Sequence, residues 1–134
     1  MAGYSQTPLV RKLGIRAGMR LAVVDPPIPY PNLVEGIPGG CDFQDLATGR
    51  LDFIHVFVRQ EARLRELFSA AKNGLSPSGM LWISWPKRGS GIASDLNENT
   101  IREIGLQNGL VDVKVCAVTE QWSGLKFVYR MKDR

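Results

Sequence analysis

The chain has 134 residues, of which 44% are hydrophobic and 22% are charged. These values are ordinary for a globular protein and leave too much apolar material for a disordered one. The length suits a single domain spanning residues 1–134. No stretch approaches the roughly 18 consecutive apolar residues of a membrane span, and the first residues lack the apolar core of a secretory signal. We therefore expect a cytoplasmic protein with no membrane partner.

The charge balance is modestly basic. Lysine and arginine number 17 against 13 acidic residues, for a net charge of +4. Such an excess suits an anionic partner but is weak support for nucleic acid, which we do not expect to be a partner. Cys41 and Cys116 lack metal-ligand or CxxC spacing, and a structural disulfide is not expected inside the cell. Cys116 is therefore interpreted as a small buried residue in a strand.

Proline and glycine mark the boundaries of the first predicted elements. Thr7 and Pro8 predict the start of a short helix that ends at Gly14, and the apolar run after it predicts a strand near 20–24. Residues 26–50 begin with many prolines and glycines and are too broken for a helix plus another full strand. We expect this segment to fold back over the exposed edge of the first strand, with a dimer as the alternative cover.

Strand and helix patterns alternate farther along the chain. An amphipathic helix is predicted over 61–73, and a capping box from Asp95 to Glu98 predicts the start of another helix. Strands separated by helices form right-handed crossovers and hence a parallel sheet, so the fold class is α/β. The predicted sheet has three parallel strands and a C-terminal antiparallel hairpin, with strands near 20–24, 52–58, 80–85, 111–118 and 124–130.

From Leu51 onward the order is strand, helix, turn, strand, helix and reversed hairpin, and the turn reads Leu75-Ser76-Pro77-Ser78-Gly79-Met80-Leu81. This part of the chain resembles the second half of a class I methyltransferase, whose turn reads L-x-P-G-G-x-L, and the resemblance implies a truncated Rossmann-like mixed sheet. That family places an acidic, glycine-rich loop after its first strand to hold S-adenosylmethionine. Here Val24-Asp25-Pro26-Pro27-Ile28-Pro29 stands in that place, so we expect no cofactor.

Several short segments also form a recognisable set: Tyr4-Ser5-x-Thr7-Pro8, Trp85-Pro86-Lys87, Gly109-Leu110-Val111-Asp112-Val113-Lys114 and Trp122-Ser123-Gly124-Leu125. With these segments the whole chain is similar to a family of small bacterial proteins classed as a domain of unknown function. The similarity implies the fold and a bacterial, cytosolic setting. It brings no activity that could be assigned to particular residues.

The candidate site lies where loops follow the parallel strands. The carboxyl ends of such strands meet at one edge of the sheet, and the loop after the third strand carries two cations, a hydroxyl and two glycines, which together can hold an anion. The alternative is a solvated loop over a packed tryptophan. The predicted anion site comprises Asp25, Arg59, Lys87, Arg88 and Ser90, and we expect no metal.

His55, the single histidine, lies in the middle of a strand without an acidic or cysteine neighbour at ligand spacing. This position favours a hydrogen-bonded strand residue over a metal ligand or a general base. Trp82 and Trp85 are three residues apart in a strand and so are expected on opposite faces of the sheet.

The leading hypothesis for function is a non-catalytic module that binds a small anionic ligand or interacts with another protein. The alternative is an S-adenosylmethionine-dependent methyltransferase with an atypical cofactor site or a site completed by a partner chain. The sequence leaves open whether the protein is an enzyme, and whether it is a monomer or a homodimer.

Overall fold

The computed structural model describes residues 7–134. The strands are β1 (Arg20–Val24), β2 (Asp42–Phe43), β3 (Leu51–Phe57), β4 (Leu75–Pro86), β5 (Leu110–Ala117) and β6 (Trp122–Tyr129). The α-helices are α1 (Leu9–Leu13), α2 (Tyr30–Leu33), α3 (Glu61–Gly74) and α4 (Glu98–Gln107), and short 3₁₀ turns cover Leu46–Thr48 and Met131–Asp133. Within residues 7–134, no helix is long and apolar enough to cross a membrane.

The six strands form one mixed sheet in the order β2-β1-β3-β4-β6-β5. The strands from β2 to β4 pair in parallel, and β6 is antiparallel to both β4 and β5. In the centre, Ala22 of β1 lies beside Ile54 of β3, which lies beside Leu81 of β4. The predicted α/β class, the parallel pairing of the second and third main strands and the C-terminal hairpin are all confirmed.

The proline-rich segment folds back over the edge of β1, as predicted, but it also contains a strand that the prediction omitted. Asp42 and Phe43 of β2 pair with Arg20 and Leu21 of β1. The pairing is held by Asp42 N–H donating to Met19 O (2.9 Å) and Gln44 N–H donating to Leu21 O (2.7 Å). A strand is possible there because no proline occurs between Pro38 and Pro77, so the backbone keeps the donors that a ladder needs.

The structure places the start of β4 earlier than predicted. Leu75 pairs with Leu51 and Met80 with Phe53, so the residues predicted as a free turn form an irregularity inside the strand. Pro77 cannot donate to the ladder. At Gly79 a Cβ would come within 2.8 Å of Leu51 O, so only glycine allows this close approach of the two backbones.

Two helix starts differ from the prediction. α1 begins at Leu9 with Pro8, not Thr7, in the N-cap position. α4 begins after Asn97, whose side chain accepts the N–H of Thr100 at 2.9 Å. Asp95, predicted to cap α4, instead accepts the N–H of Glu61 at the start of α3 (2.8 Å). The residue directly before α4 therefore caps it, and the cap predicted two residues earlier serves α3 instead.

Apolar clusters cover both faces of the sheet. One face packs Phe68 of α3 and Ile104 of α4 against the strands and includes Trp85. The other face contains Trp82, which packs with α1 and the proline-rich segment, and its indole N–H donates to Leu13 O at 2.9 Å. The prediction that the two tryptophans lie on opposite faces is confirmed.

Candidate functional site

A cavity of about 560 Å³ opens beyond the carboxyl ends of β1 and β3. The chain leaves β1 toward β2 on one side and then crosses to β3 on the other, so this is the topological switch point where sheets of this kind bind ligands. We call it the switch-point cavity. Its charged lining consists of Asp25, Arg59 and Arg63, and its apolar wall includes Phe57, Ile92 and Trp122.

Asp25, directly after β1, has a backbone φ of 54°. Few residues other than glycine adopt this left-handed conformation, although aspartate tolerates it better than most. Strained backbone of this kind is concentrated at functional sites. The Asp25 carboxylate lies 3.6 Å from the guanidinium of Arg63, and both side chains are about half exposed or more, at 63% and 49%. Such an exposed pair contributes little to stability, so both groups are free to pair with a ligand.

His55 packs behind the apolar wall of the cavity and supports Phe57. The imidazole stacks on the Phe57 ring with centroids 4.2 Å apart, and Phe57 meets Trp122 edge to face at 5.5 Å. His55 is fully buried and hydrogen-bonded through its two ring nitrogens to Tyr30 Oη (2.8 Å) and Ser84 Oγ (2.7 Å). Burial lowers the pKa of His55 to about 3. The interpretation of His55 as a hydrogen-bonded strand residue is confirmed, and the ring is neutral at ordinary pH.

The loops after β3 and β4 are fastened to each other. Val58 N–H donates to Ser84 O (3.0 Å), which continues the β3–β4 pairing. Arg59 O then accepts from the Ser94 hydroxyl (2.7 Å) and from Asp95 N–H (3.2 Å). These bonds fix the backbone at Arg59 and hold the segment that contains Ile92 beside the cavity.

The structure places four of the five predicted anion-site residues in two neighbouring cavities, and Ser90 lines neither of them. Asp25 and Arg59 line the switch-point cavity. Lys87 and Arg88 line an adjacent cavity of about 450 Å³, with Ile92 common to both linings. The Ser90 hydroxyl accepts Ile92 N–H at 3.2 Å and so shapes the turn. An anion site that includes all five residues stays a prediction.

Sequence analysis missed most residues of the switch-point cavity, among them Arg63, Phe57 and Trp122. Arg63 belongs to the exposed face of an amphipathic helix, and Phe57 and Trp122 are typical core residues. A usable signal existed for Trp122, because an antiparallel strand begins at the edge where its parallel neighbour ends. Trp122 opens β6 and pairs with Pro86, the last residue of β4.

The described part of the chain contains no group of three or more histidine, cysteine, aspartate or glutamate residues that could hold a metal ion. Both cysteines are free and partly buried. Cys41 donates its S–H to Arg16 O at 3.2 Å, and burial raises the pKa of Cys116. The chemistry available in the cavity is therefore that of one carboxylate, two guanidinium groups and an aromatic wall.

Comparison with known proteins adds a structural likeness. No protein-family model matches the sequence, and no curated protein sequence is significantly similar to it. A SAM dependent methyltransferase from Aquifex aeolicus has a similar structure, with a TM-score of 0.62 at 16% identity over 89% of this chain and 86% of that one. The ribosomal protein L11 methylase from Lactobacillus delbrueckii subsp. bulgaricus is also similar, with a TM-score of 0.60 at 12% identity over 91% of this chain and 75% of that one.

A third similar structure is the magnesium protoporphyrin IX methyltransferase from Synechocystis PCC 6803 with bound SAH, with a TM-score of 0.57 at 15% identity over 91% of this chain and 78% of that one. The chain has the fold of the class I methyltransferases. This fold extends over nearly the whole described chain, whereas the sequence resemblance began only at Leu51.

The likeness to methyltransferases solved with SAM and SAH corrects the leading functional hypothesis. A non-catalytic module for anion binding or protein interaction is wrong as the main interpretation, and the alternative, a methyltransferase with an atypical cofactor site, fits better. The hypothesis rested on the missing glycine loop and on a missing second strand. The structure supplies a short second strand and a cavity at the expected edge of the sheet.

The cavity fits S-adenosylmethionine in place and size, but not through a glycine loop. Its volume lies within the roughly 300 to 1,000 Å³ of small-molecule sites. Three residues of the loop after β1 are prolines without an N–H donor. β2 ends opposite Leu21, three residues before the end of β1, and so stops about 10 Å short of the cavity at a strand rise near 3.3 Å per residue. Asp25 is therefore the one carboxylate among the described residues of the cavity lining.

Proposed function

We propose that this protein is an S-adenosylmethionine-dependent methyltransferase with an atypical cofactor site in the switch-point cavity. The observation that carries the proposal is the position of this cavity at the ends of β1 and β3, in a fold shared with methyltransferases solved with the cofactor. We also propose, on the segments named above, that the chain belongs to the family of small bacterial proteins that it resembles.

The lining offers complementary groups for several parts of the cofactor. The Asp25 carboxylate can accept hydrogen bonds from ribose hydroxyls or from the amino group. Arg59 and Arg63 can bind the amino-acid carboxylate through charge-assisted hydrogen bonds. The rings of Phe57 and Trp122 offer apolar surface to the adenine. When bound, the cofactor supplies an electrophilic methyl group whose transfer leaves a neutral thioether.

An adjoining groove gives the acceptor a place to bind. This groove, of about 380 Å³, shares Pro27 and Trp122 with the switch-point cavity and adds Ile28 and Leu33. Ile28 is 49% exposed, which is high for an isoleucine beside a cavity. We propose that the methyl acceptor presents an apolar face to this groove.

The loop after β4 extends the same region with positive charge. We propose, as the sequence predicts, that Lys87, Arg88 and Ser90 form an anion site beside the cofactor cavity. Two-dimensional NMR with inorganic phosphate tests this, because binding there shifts the amide signals of Gly89 and Gly91. Replacing Lys87 and Arg88 together by alanine should abolish those shifts while the melting temperature changes little. Shifts that persist in the double variant would end the proposal.

Calorimetric titration with S-adenosylhomocysteine and S-adenosylmethionine tests the cofactor site. We expect micromolar binding, and Asp25→Asn should weaken it about tenfold because a charged acceptor is lost. Asparagine tolerates the left-handed backbone at this position, so the fold is preserved. Asp133→Asn, which removes an equivalent carboxylate from an exposed turn at the other end of the chain, is the matched control. Absence of binding of both compounds at millimolar concentration would refute the proposed function.

A further inference from the structure

A second cavity, of about 650 Å³, lies at the opposite edge of the sheet, where the loop from α1 leads into β1. Its lining includes three cationic side chains, Arg11, Arg16 and Lys126. Ile15 and Met80 contribute apolar surface to the lining. We call this the basic cavity. It shares no lining residue with the switch-point cavity.

Two further lysines adjoin the basic cavity. Lys114 of β5 lies directly opposite Lys126 of β6 in the antiparallel ladder, an arrangement that is destabilising for like charges. The Lys114 ammonium group donates to Lys12 O at 3.0 Å, which ties the hairpin to the end of α1. The fold therefore joins a basic segment near the start of the sequence to two lysines more than a hundred residues later.

These five cations lack acidic partners. None of them forms an ion pair with a carboxylate between residues 7 and 134, and residues 1–6 contain no acidic residue. Other arginines of the chain, such as Arg65 and Arg102, are paired with carboxylates. Burial, and then the charges of Lys114 and Arg16, lower the pKa of Lys126. Three unpaired cations therefore line one cavity with two more lysines nearby, an arrangement that favours an anion there.

We propose that the basic cavity binds a small ligand that carries a pyrophosphate group, either free or as part of a nucleotide. Two guanidinium groups can each bind phosphate oxygens in a bidentate manner, and Lys126 adds a point charge. The apolar lining accommodates an uncharged remainder of the ligand. Among residues 7–134, the cavity lining contains no aromatic side chain, whereas proteins that bind single-stranded nucleic acid stack its bases on aromatic rings. The observations therefore favour a small ligand over a polymer.

Calorimetry at low ionic strength, with inorganic pyrophosphate and ADP as separate probes, tests this proposal. We expect Lys126→Met and Arg16→Ala each to weaken binding about tenfold, because each removes a charge-assisted contact. Lys132→Met removes the same charge from an exposed C-terminal turn and should have no effect. Lys126→Met should also leave the melting temperature equal or higher, because it relieves the repulsion from Lys114. Binding of ADP without pyrophosphate identifies a nucleotide, and tight binding of both identifies the pyrophosphate group itself.

Two outcomes would overturn the proposal. One is that neither probe binds at millimolar concentration, and an RNA or DNA oligonucleotide that binds in their place would then indicate a site for a polymer. The other is that Lys132→Met weakens binding as much as Lys126→Met, which would indicate net charge alone. Titration of the Lys126→Met variant with S-adenosylhomocysteine is the cross-check. The two cavities share no lining residue, so each proposal can fail without the other.

Discussion

Tyr30 and His55 are joined by a buried hydrogen bond of 2.8 Å between the phenol oxygen and the imidazole Nδ1. Tyr30 belongs to the proline-rich segment and His55 to the middle of the central strand β3. The bond is supported by an edge-to-face contact of the two rings with centroids 5.5 Å apart. A segment that follows no regular pattern is thereby fixed to the centre of the sheet, beside the wall of the switch-point cavity.

Replacing Tyr30 by phenylalanine should destabilise the protein by about 1–3 kcal/mol, because it leaves a buried ring nitrogen without its partner. The ring itself is kept, so packing is preserved. Urea unfolding measures the change. Tyr129→Phe is the matched control, since that hydroxyl donates to Lys72 O at a partly exposed site. A Tyr30→Phe variant as stable as the wild type would show that the bond contributes nothing.

The stability of the protein should fall as the pH drops below about 6.5. Burial lowers the pKa of His55 to about 3 in the folded state, and the unfolded chain has the ordinary value near 6.5. The unfolded chain therefore takes up a proton between these values while the folded protein does not. The contribution of the neutral His55 to the free energy of unfolding is fully present above about pH 6.5 and is lost progressively as the pH falls toward the folded-state pKa. The expected slope is up to about 1.4 kcal/mol per pH unit.

Urea unfolding between neutral pH and about pH 5 isolates this effect, because the carboxylates titrate mostly below that range and the sequence contains no other histidine. A His55→Gln variant should lose the slope even if it is less stable throughout. Equal stability of the wild type across this range would contradict the prediction.

Gly105→Ala should destabilise the protein even though alanine is the better helix former by about 1 kcal/mol. A Cβ at residue 105 would lie 2.0 Å from Cε1 of Phe127, so α4 must move away from the sheet. Overpacking of this kind costs about 1–3 kcal/mol or more. Combining Gly105→Ala with Phe127→Leu should recover part of the loss, and a double-mutant cycle measures the coupling. A stabilised single variant would show that the helix adjusts freely.

Asp95→Ala and Asn97→Ala should each cost about 0.5–2 kcal/mol, but through different helices. Asp95 accepts the first N–H of α3, and Asn97 caps α4. Hydrogen exchange followed by NMR distinguishes them: faster exchange should appear at the start of α3 in one variant and at the start of α4 in the other. Faster exchange at α4 in both variants would support the capping box predicted from the sequence.

The parts of the fold that the sequence predicted are those with local causes. The strand near Leu51 and the helix over residues 61–73 follow from apolar periodicity, and that pattern does not depend on distant contacts. β2 was missed because two residues are too few to show a pattern, and its pairing with β1 depends on tertiary contacts. The start of α4 was displaced because Asp95 and Asn97 are equally good caps in sequence, and only the position of α3 decides between them.

The site was predicted less completely for the same reason. Asp25 and Arg59 could be placed from the rule that parallel strands end together. Arg63 and Trp122 reach the cavity only through the packing of α3 and of β6, which a linear pattern does not reveal. The basic cavity was not foreseen because Arg16 and Lys126 are far apart in the chain and each alone is an ordinary surface cation.

The positions of the three tryptophans allow intrinsic fluorescence to report on the switch-point cavity. All three are buried, Trp82 and Trp122 in one apolar cluster and Trp85 in the other. Trp122 alone lines the switch-point cavity, with its ring 5.5 Å from Phe57. A compound that enters this cavity changes the environment of one indole and leaves the other two as an internal reference. Fluorescence emission can thus follow occupancy of the cavity in the unlabelled protein, and candidate ligands can be screened in solution.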